Sequence, residues 1–375
     1  MMKRKLQTYT LTLTAVGPVF VGSGKEISKK EYLRLKDGTV LVLDIEKFYS
    51  FIEKKHLEKQ YLDFMLKNDR MSLGNWILNQ EIQVKDIQNC IRYRLKNSDM
   101  ELEHGKPVQI MEYIKDSYGQ PYIPGSSVKG MMRTILLCND ICEHPQKYER
   151  IAADMERELF QNRNQNVSRK RVLAASMKNA EVECYHLLNR FEKKRENAVN
   201  DRLSGIIIGD SKPLQTDDLT LCQKVEVHPD GVEKKLNLLR ECIKPQTQIE
   251  MMLTIDTDLF PLDDRQMMKA IHNFNSIYNE NFSEKFRGAN CPSEDMVYLG
   301  GGAGFVSKTI IYALFQGTEG IKACQSIFEK TNVPRNHKHY KDMQYGVSPH
   351  ILKSTYYAGK RYQMGQCRCK IERIE

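Results

Sequence analysis

Tyr298-Leu-Gly-Gly-Gly-Ala-Gly-Phe-Val-Ser-Lys-Thr309 sets four glycines in five positions directly ahead of Ser307-Lys-Thr309. Backbone without side chains turns sharply and lets a ligand approach closely. Hydroxyls and an ammonium beside exposed N–H groups suit a phosphate. Spacing excludes two familiar loops. A dinucleotide fingerprint needs G-x-G-x-x-G, yet its last position falls on Phe305 counting from Gly300, and on Ser307 counting from Gly302. The phosphate loop G-x-x-x-x-G-K-[ST] fails at Gly22-Ser-Gly-Lys25, where Val19 and Glu26 stand at its first and last positions. A loop against a polynucleotide backbone and a plain structural turn both remain open.

Working outward, Leu262 to Phe286 has helical spacing before this loop, and Ile310 to Leu314 continues as helix after it. At the N-terminus Leu11, Leu13 and Ala15 alternate with Thr10, Thr12 and Thr14, the pattern of a half-buried strand. Gly17-Pro18 breaks it, and a hairpin follows at Glu31–Leu35 and Thr39–Leu43 around Asp37-Gly38. From Asp44 to about Arg94 the pattern is helical. Ile123-Pro-Gly-Ser-Ser-Val-Lys-Gly-Met-Met-Arg133 turns at Pro124-Gly125 and opens a helix that Ser126 or Ser127 can cap. Val128, Met131, Met132, Ile135 and Leu136 form its core-facing stripe. Lys129 and Arg133 share a face near its N-terminus, where the helix dipole favours an anion rather than a cation. A bound anion would account for them; so would two solvated cations. Residues 142–203 form a charged helical insertion with a polar break at Asn162–Ser168. Strands return at Ser204–Pro213, Leu219–Val227, Leu236–Leu239 and Thr247–Ile255. Strands before and after helices, twice over, give an α+β chain of two halves.

Length and composition bound the function. At 375 residues, 41% hydrophobic and 28% charged, the chain is an ordinary soluble protein expected to hold two domains. Its longest apolar runs, such as Ile206-Ile-Ile208, are too short for a bilayer, and the basic start lacks an apolar signal core. Its ten scattered cysteines suit free thiols in the reducing cytoplasm. Cys138/Cys142 and Cys367/Cys369 are not C-x-x-C pairs, and nothing sets His337-Lys-His339 beside them, so no metal or cofactor is expected. Lys plus Arg exceed Asp plus Glu by 57 to 48. Arg163, Arg169, Lys170, Arg171 and Lys178 crowd one segment. Lys353, Lys360, Arg361, Arg368 and Lys370 crowd the C-terminus among Tyr356, Tyr357 and Tyr362. Cations among aromatics suit single-stranded nucleic acid, where phosphates pair and bases stack.

The order of these pieces resembles the RAMP superfamily of CRISPR-associated proteins. It rests on Gly17-Pro-Val-Phe-Val-Gly-Ser-Gly24, Ile123–Arg133, Gly209-Asp-Ser-Lys-Pro213 and Gly300–Lys308, in that order. Gln223-Lys224, Leu239-Arg-Glu-Cys242, Ser348-Pro-His-Ile-Leu-Lys353 and Gly365-Gln-Cys367 look like those of the subunits that cap the crRNA 3′ end in type III-A (Csm) complexes. The resemblance implies two ferredoxin-like, RRM-related domains, 1–215 with helical insertions at about 45–118 and 142–203, and 216–375 carrying the glycine-rich loop. It further implies a non-catalytic partner of crRNA, target RNA and sibling RAMP subunits, which recruits nucleases to trim the guide. The expected RNA contacts are Lys25, Ser126, Ser127, Lys129, Arg133, Gly300, Gly301, Gly302, Gly304, Ser307, Lys308, Lys353 and Arg361. Asp44 is the nearest counterpart of the acidic residue with which backbone subunits of such complexes cleave target RNA, and as a hairpin-end aspartate it reads as a helix cap. A metal-independent RAMP endoribonuclease, a Cmr-type subunit and a protein–protein scaffold with an incidental basic surface are the rival readings. His350 is the histidine of most interest to the first, though a turn histidine bonded to backbone explains it more simply.

Overall fold

A computed structural model describes residues 5–374 apart from 68, 70, 97–98, 102–107, 162–166, 169, 191–192, 290–292 and 332. Arg163 and Arg169 of the basic segment, and most of the polar break around them, lie outside the described residues.

Strand β1 (Leu6–Ala15) is the middle of a five-stranded antiparallel sheet. On one side it pairs with β10 (Gln248–Asp256), which pairs with β7 (Ile206–Ile208). On the other it pairs with β14 (Gln366–Arg373), which pairs with β11 (Met296–Tyr298). The alternation read in the sequence sets the face: Tyr9, Leu11, Leu13 and Ala15 are buried, and Leu11 stands opposite both Met251 and Ile371. Cys367 and Cys369 share the buried face of β14. Two helices cover this sheet. In α4 (Gly125–Glu143) the expected stripe from Val128 to Leu136 is buried, and it packs on α7 (Asp264–Asn281). Helix α7 starts with a reciprocal cap, Asp263 accepting from Gln266 N at 2.8 Å and Gln266 accepting from Asp263 N at 3.0 Å.

The second sheet runs β13 (Lys360–Gln363), β12 (Leu352–Tyr357), β8 (Leu219–Val227), β9 (Glu233–Ile243), β6 (Ile110–Tyr113), β2 (Gly22–Ile27). Only β6 and β9 pair in parallel among its described strands. Both large sheets draw strands from the two sides of residue 215, and one apolar core runs through both expected halves.

A smaller lobe has its own core, built from Leu33, Phe48, Tyr61, Trp76 and their neighbours. It joins a sheet of β3 (Tyr32–Arg34), β4 (Val40–Leu43) and β5 (Ile91–Leu95) to helices α1 (Ile45–Lys54), α2 (Glu58–Leu66) and α3 (Leu73–Asn79). The expected helical stretch from 45 to 118 therefore ends earlier, because β5 and β6 follow the third helix. Glu241 ties the lobe to the body: wholly buried, it accepts from Lys115 Nζ at 2.6 Å, Tyr93 OH at 2.6 Å and Tyr113 N at 2.9 Å. Between residues 142 and 203 lie α5 (Glu149–Glu156) and α6 (Ala174–Tyr185). After the glycine-rich loop come α8 (Ile311–Leu314), α9 (Gly317–Lys330) and α10 (Asp342–Tyr345).

Candidate nucleic-acid interface

The glycine-rich loop is two things at once. Gly300, Gly302 and Gly304 have φ of +81°, +102° and +96°, the left-handed region that favours glycine. Its first half is zipped to the N-terminal Gly17–Gly24 segment: Gly301 N donates to Phe20 O at 2.7 Å, and Leu299 N donates to Gly365 O at 2.8 Å, whose own N–H donates to Pro18 O at 2.9 Å. A Cβ on Gly300 would stand 2.1 Å from Phe20 O. The N–H of Gly301 is therefore engaged within the fold, contrary to the expectation of a bare phosphate cradle. Ser307 is buried and its hydroxyl donates to Gly304 O at 3.2 Å. The second half is open: nothing lies within 4 Å of a Cβ on Gly304, and Lys308 reaches solvent.

The start of α4 is held by the Gly209-Asp-Ser-Lys motif rather than capped by its own serines. Asp210 Oδ1 accepts from Gly125 N at 2.8 Å, and Ser211 Oγ accepts from Ile123 N at 2.9 Å. A Cβ on Gly125 would meet Ile208 O at 2.0 Å, so this contact demands glycine. With the cap supplied from outside, Ser126 and Ser127 are left facing a cavity of 390 Å³. It is also lined by Gly22, Gly300, Gly301 and Lys308. The two motifs singled out in the sequence thus meet at one surface.

The neighbouring cations do not all join them. Lys129 Nζ donates to Ile206 O at 2.6 Å, and Arg133 pairs with Glu181 and Asp201, each at 3.1 Å. Both brace α4 against β7 and the insertion. Arg361 is likewise engaged, by Glu233 at 2.6 Å and the carbonyls of Arg287 and Gly288. Lys25 is exposed on β2 and has no ion pair among the described residues. Asp44 accepts from Lys47 N at 3.2 Å and caps α1, as a hairpin-end aspartate should.

Lys308 also lines a second cavity, of 540 Å³, together with Gly304, Lys224, Lys353, His337 and His339. Four cations crowd here. Burial, with Lys224, Arg240 and Lys308 alongside, pushes the Lys353 ammonium down to about 8. Burial and Arg240 lower Lys308. Lys224 has a partner in Glu226 at 2.6 Å; Arg240 lies over the Phe20 ring at 5.3 Å, and its Nε lacks a hydrogen bond among the described residues. Cations crowded in this way repel one another, and a bound anion would offset that repulsion. Lys224 and Arg240 lie within the Gln223-Lys224 and Leu239–Cys242 motifs, and only their strand register brings them to Lys353.

Among the described residues His350 makes no hydrogen bond to backbone. It is buried, with Nδ1 on Asp342 Oδ1, and Asp342 also meets His339 Nδ1 at 3.1 Å and Ser348 Oγ at 2.5 Å. This knot was missed in the sequence, where only the turn Ser348-Pro-His350 and the pair His337-Lys-His339 were visible.

The sequence pattern of the RAMP superfamily matches residues 12–348. The CRISPR system protein Csm5 of Mycobacterium tuberculosis is 29% identical over 399 residues, spanning 100% of each chain. That of Streptococcus thermophilus is 25% identical over 329 residues, covering 85% of this chain and 84% of its own. A chain of a Csm–crRNA–target RNA ternary complex of a type III-A system superposes with a TM-score of 0.62 at 19% identity, covering 96% of this chain and 100% of that one. The crystal structure of T. onnurineus Csm5 gives 0.61 at 18% identity, covering 95% and 99%. These two superpositions show a shared fold.

Proposed function

The chain belongs to the RAMP superfamily, and from that premise we propose that it is the non-catalytic RNA-binding subunit at the crRNA 3′ end of a type III-A (Csm) ribonucleoprotein. Its partners in this reading are crRNA, target RNA, sibling RAMP subunits and the host nucleases that trim the guide. One observation carries the RNA-binding part: Ser126 and Ser127 meet Gly300, Gly301 and Lys308 at one cavity, and Lys308 leads into a second that holds Lys224 and Lys353. Backbone, hydroxyl and ammonium groups grip a ribose-phosphate thread without reading its bases, which suits a guide whose sequence varies. His350 is buried against Asp342 and offers no proton to a 2′-hydroxyl, which favours binding over cleavage. A cytoplasmic setting accords with nine free cysteines among the described residues. No helix among those residues is long and apolar enough to cross a membrane.

Salt-dependent anisotropy with a labelled single-stranded guide RNA tests this reading. Neutralising three to five phosphates gives a log–log slope of roughly −2 to −3.5. Lys308→Ala with Lys353→Ala should shrink that slope by about 1.4 and weaken binding, since each phosphate contact contributes about 0.7. Binding indifferent to salt, or unchanged in the double variant, would refute it.

A further inference from the structure

The knot formed by His339, Asp342 and His350 uses no group of the RNA surface except the outer edge of His339. Asp342 is completely buried on α10, yet neither a lysine nor an arginine pairs with it among the described residues. Its side-chain partners among the described residues are two imidazoles and the Ser348 hydroxyl. A buried carboxylate is held ionised by hydrogen bonds, by a neighbouring positive charge or by a metal ion. The donor atoms of the three side chains all lie within 4.8 Å of one another.

We propose that His339, Asp342 and His350 form a binding site for one zinc-class divalent cation, with a structural role in joining α10 to the Ser348–His350 turn. Two imidazoles and a carboxylate are the borderline donors that such ions prefer. A tetrahedral ion with bonds of about 2.0–2.1 Å needs donors about 3.4 Å apart, and His339 Nδ1 already stands 3.1 Å from Asp342 Oδ2. The surrounding groups are those that orient metal ligands. Ser348 Oγ donates to Asp342, and Tyr312 OH donates to Ser348 O at 2.6 Å. Phe328 stacks on the His339 ring at 4.3 Å and Tyr345 on the His350 ring at 4.9 Å. Each ring is thus held in place before any ion arrives. Access exists too, because His339 lines the 540 Å³ cavity. A bound ion satisfies the buried carboxylate and leaves the fourth position to water from that cavity.

The site is independent of the RNA reading and can be tested on the full chain with any affinity tag removed. Elemental analysis after dialysis in metal-free buffer should find about one zinc per chain. Cobalt titrated into chelator-treated protein should give the visible absorption of a four-coordinate N/O site, saturating near one equivalent. Asp342→Asn and His350→Gln should each abolish that spectrum while His228→Ala, an imidazole beside the site, keeps it. Should the first two variants fail to fold, melting of the wild-type chain decides: added zinc should raise Tm and chelator lower it. Zinc below about a tenth of an equivalent with no cobalt spectrum would overturn the proposal. So would a spectrum retained in a folded Asp342→Asn chain, or a Tm indifferent to both zinc and chelator.

Discussion

At Gly300, conformation and contact make the same demand. A φ of +81° disfavours any side chain, and a Cβ would sit 2.1 Å from the Phe20 carbonyl oxygen, which is backbone and cannot step aside. Gly300→Ala should therefore cost about 2–4 kcal/mol, the sum of left-handed strain and a displaced backbone contact. Gly304→Ala meets nothing within 4 Å and carries the strain alone, about 1–2 kcal/mol. Urea denaturation of the two variants measures the difference; equal losses would mean that the Phe20 contact is unimportant. The glycine run was legible as a place of close approach. What it approaches was not, because Phe20 lies far away in the chain and comes near only through the second sheet and the Pro18–Gly365 bond. Similarly, Lys129 and Arg133 sit at the spacing of a phosphate contact, but their partners Ile206, Glu181 and Asp201 belong to segments whose placement no local pattern reveals.

At the scale of elements, two joints hold the candidate interface in place. Asp210 caps α4 from outside the helix, so Asp210→Ala should cost about 0.5–2 kcal/mol, the usual loss for a removed cap. It should also weaken RNA binding, since Ser126 and Ser127 would lose their fixed position on the 390 Å³ cavity. Ser211→Ala, which keeps the Asp210 carboxylate, should do less to both. The other joint is Glu241 with Lys115 and Tyr93, between the small lobe and β9. Removing one member of a buried pair strands a charge, so Lys115→Met should destabilise the chain by about 3–5 kcal/mol. Lys115→Met with Glu241→Gln should recover part of that loss in the same melt; no recovery would mean that the charges are uncoupled. Neither joint could be foreseen from periodicity. The strands and helices themselves were legible wherever an apolar stripe was long, as in β1, α4 and α7. The helix α9 was not, because its buried stripe of Ile321, Ala323, Cys324 and Ile327 is short and broken by small residues.

The whole molecule was legible as an α+β chain from the order of its motifs, but the interleaving of its strands across residue 215 was not. Central β1 takes both of its partners from the far end of the chain, a pairing that no window of sequence contains. That interleaving is what gathers the charge: Lys224 and Arg240 arrive on β8 and β9, Lys353 on β12 and Lys308 after the glycine-rich loop. If RNA phosphate sits at this cluster, as proposed, the crowded field should make RNA affinity depend on pH. In the free protein Lys353 is pushed down to about 8 by burial and its three cationic neighbours. A phosphate beside it favours the charged form, so binding takes up a proton once the pH passes that value. Affinity should be level below about pH 7 and fall by up to about tenfold per pH unit above about 8, the limit for one coupled proton. Lys353→Arg holds its charge throughout and should flatten the curve at fixed ionic strength. Stability moves the other way. Between about 8 and about 10.4, the ordinary lysine value, the unfolded chain binds more protons than the folded one at this position. Lys353 therefore makes the native state more stable as pH rises through that window, and the Arg variant lacks this contribution. Anisotropy and urea melts of both proteins from pH 7 to 10 separate the two effects. A wild-type affinity curve that stays flat across that range would mean that Lys353 is not at the phosphate.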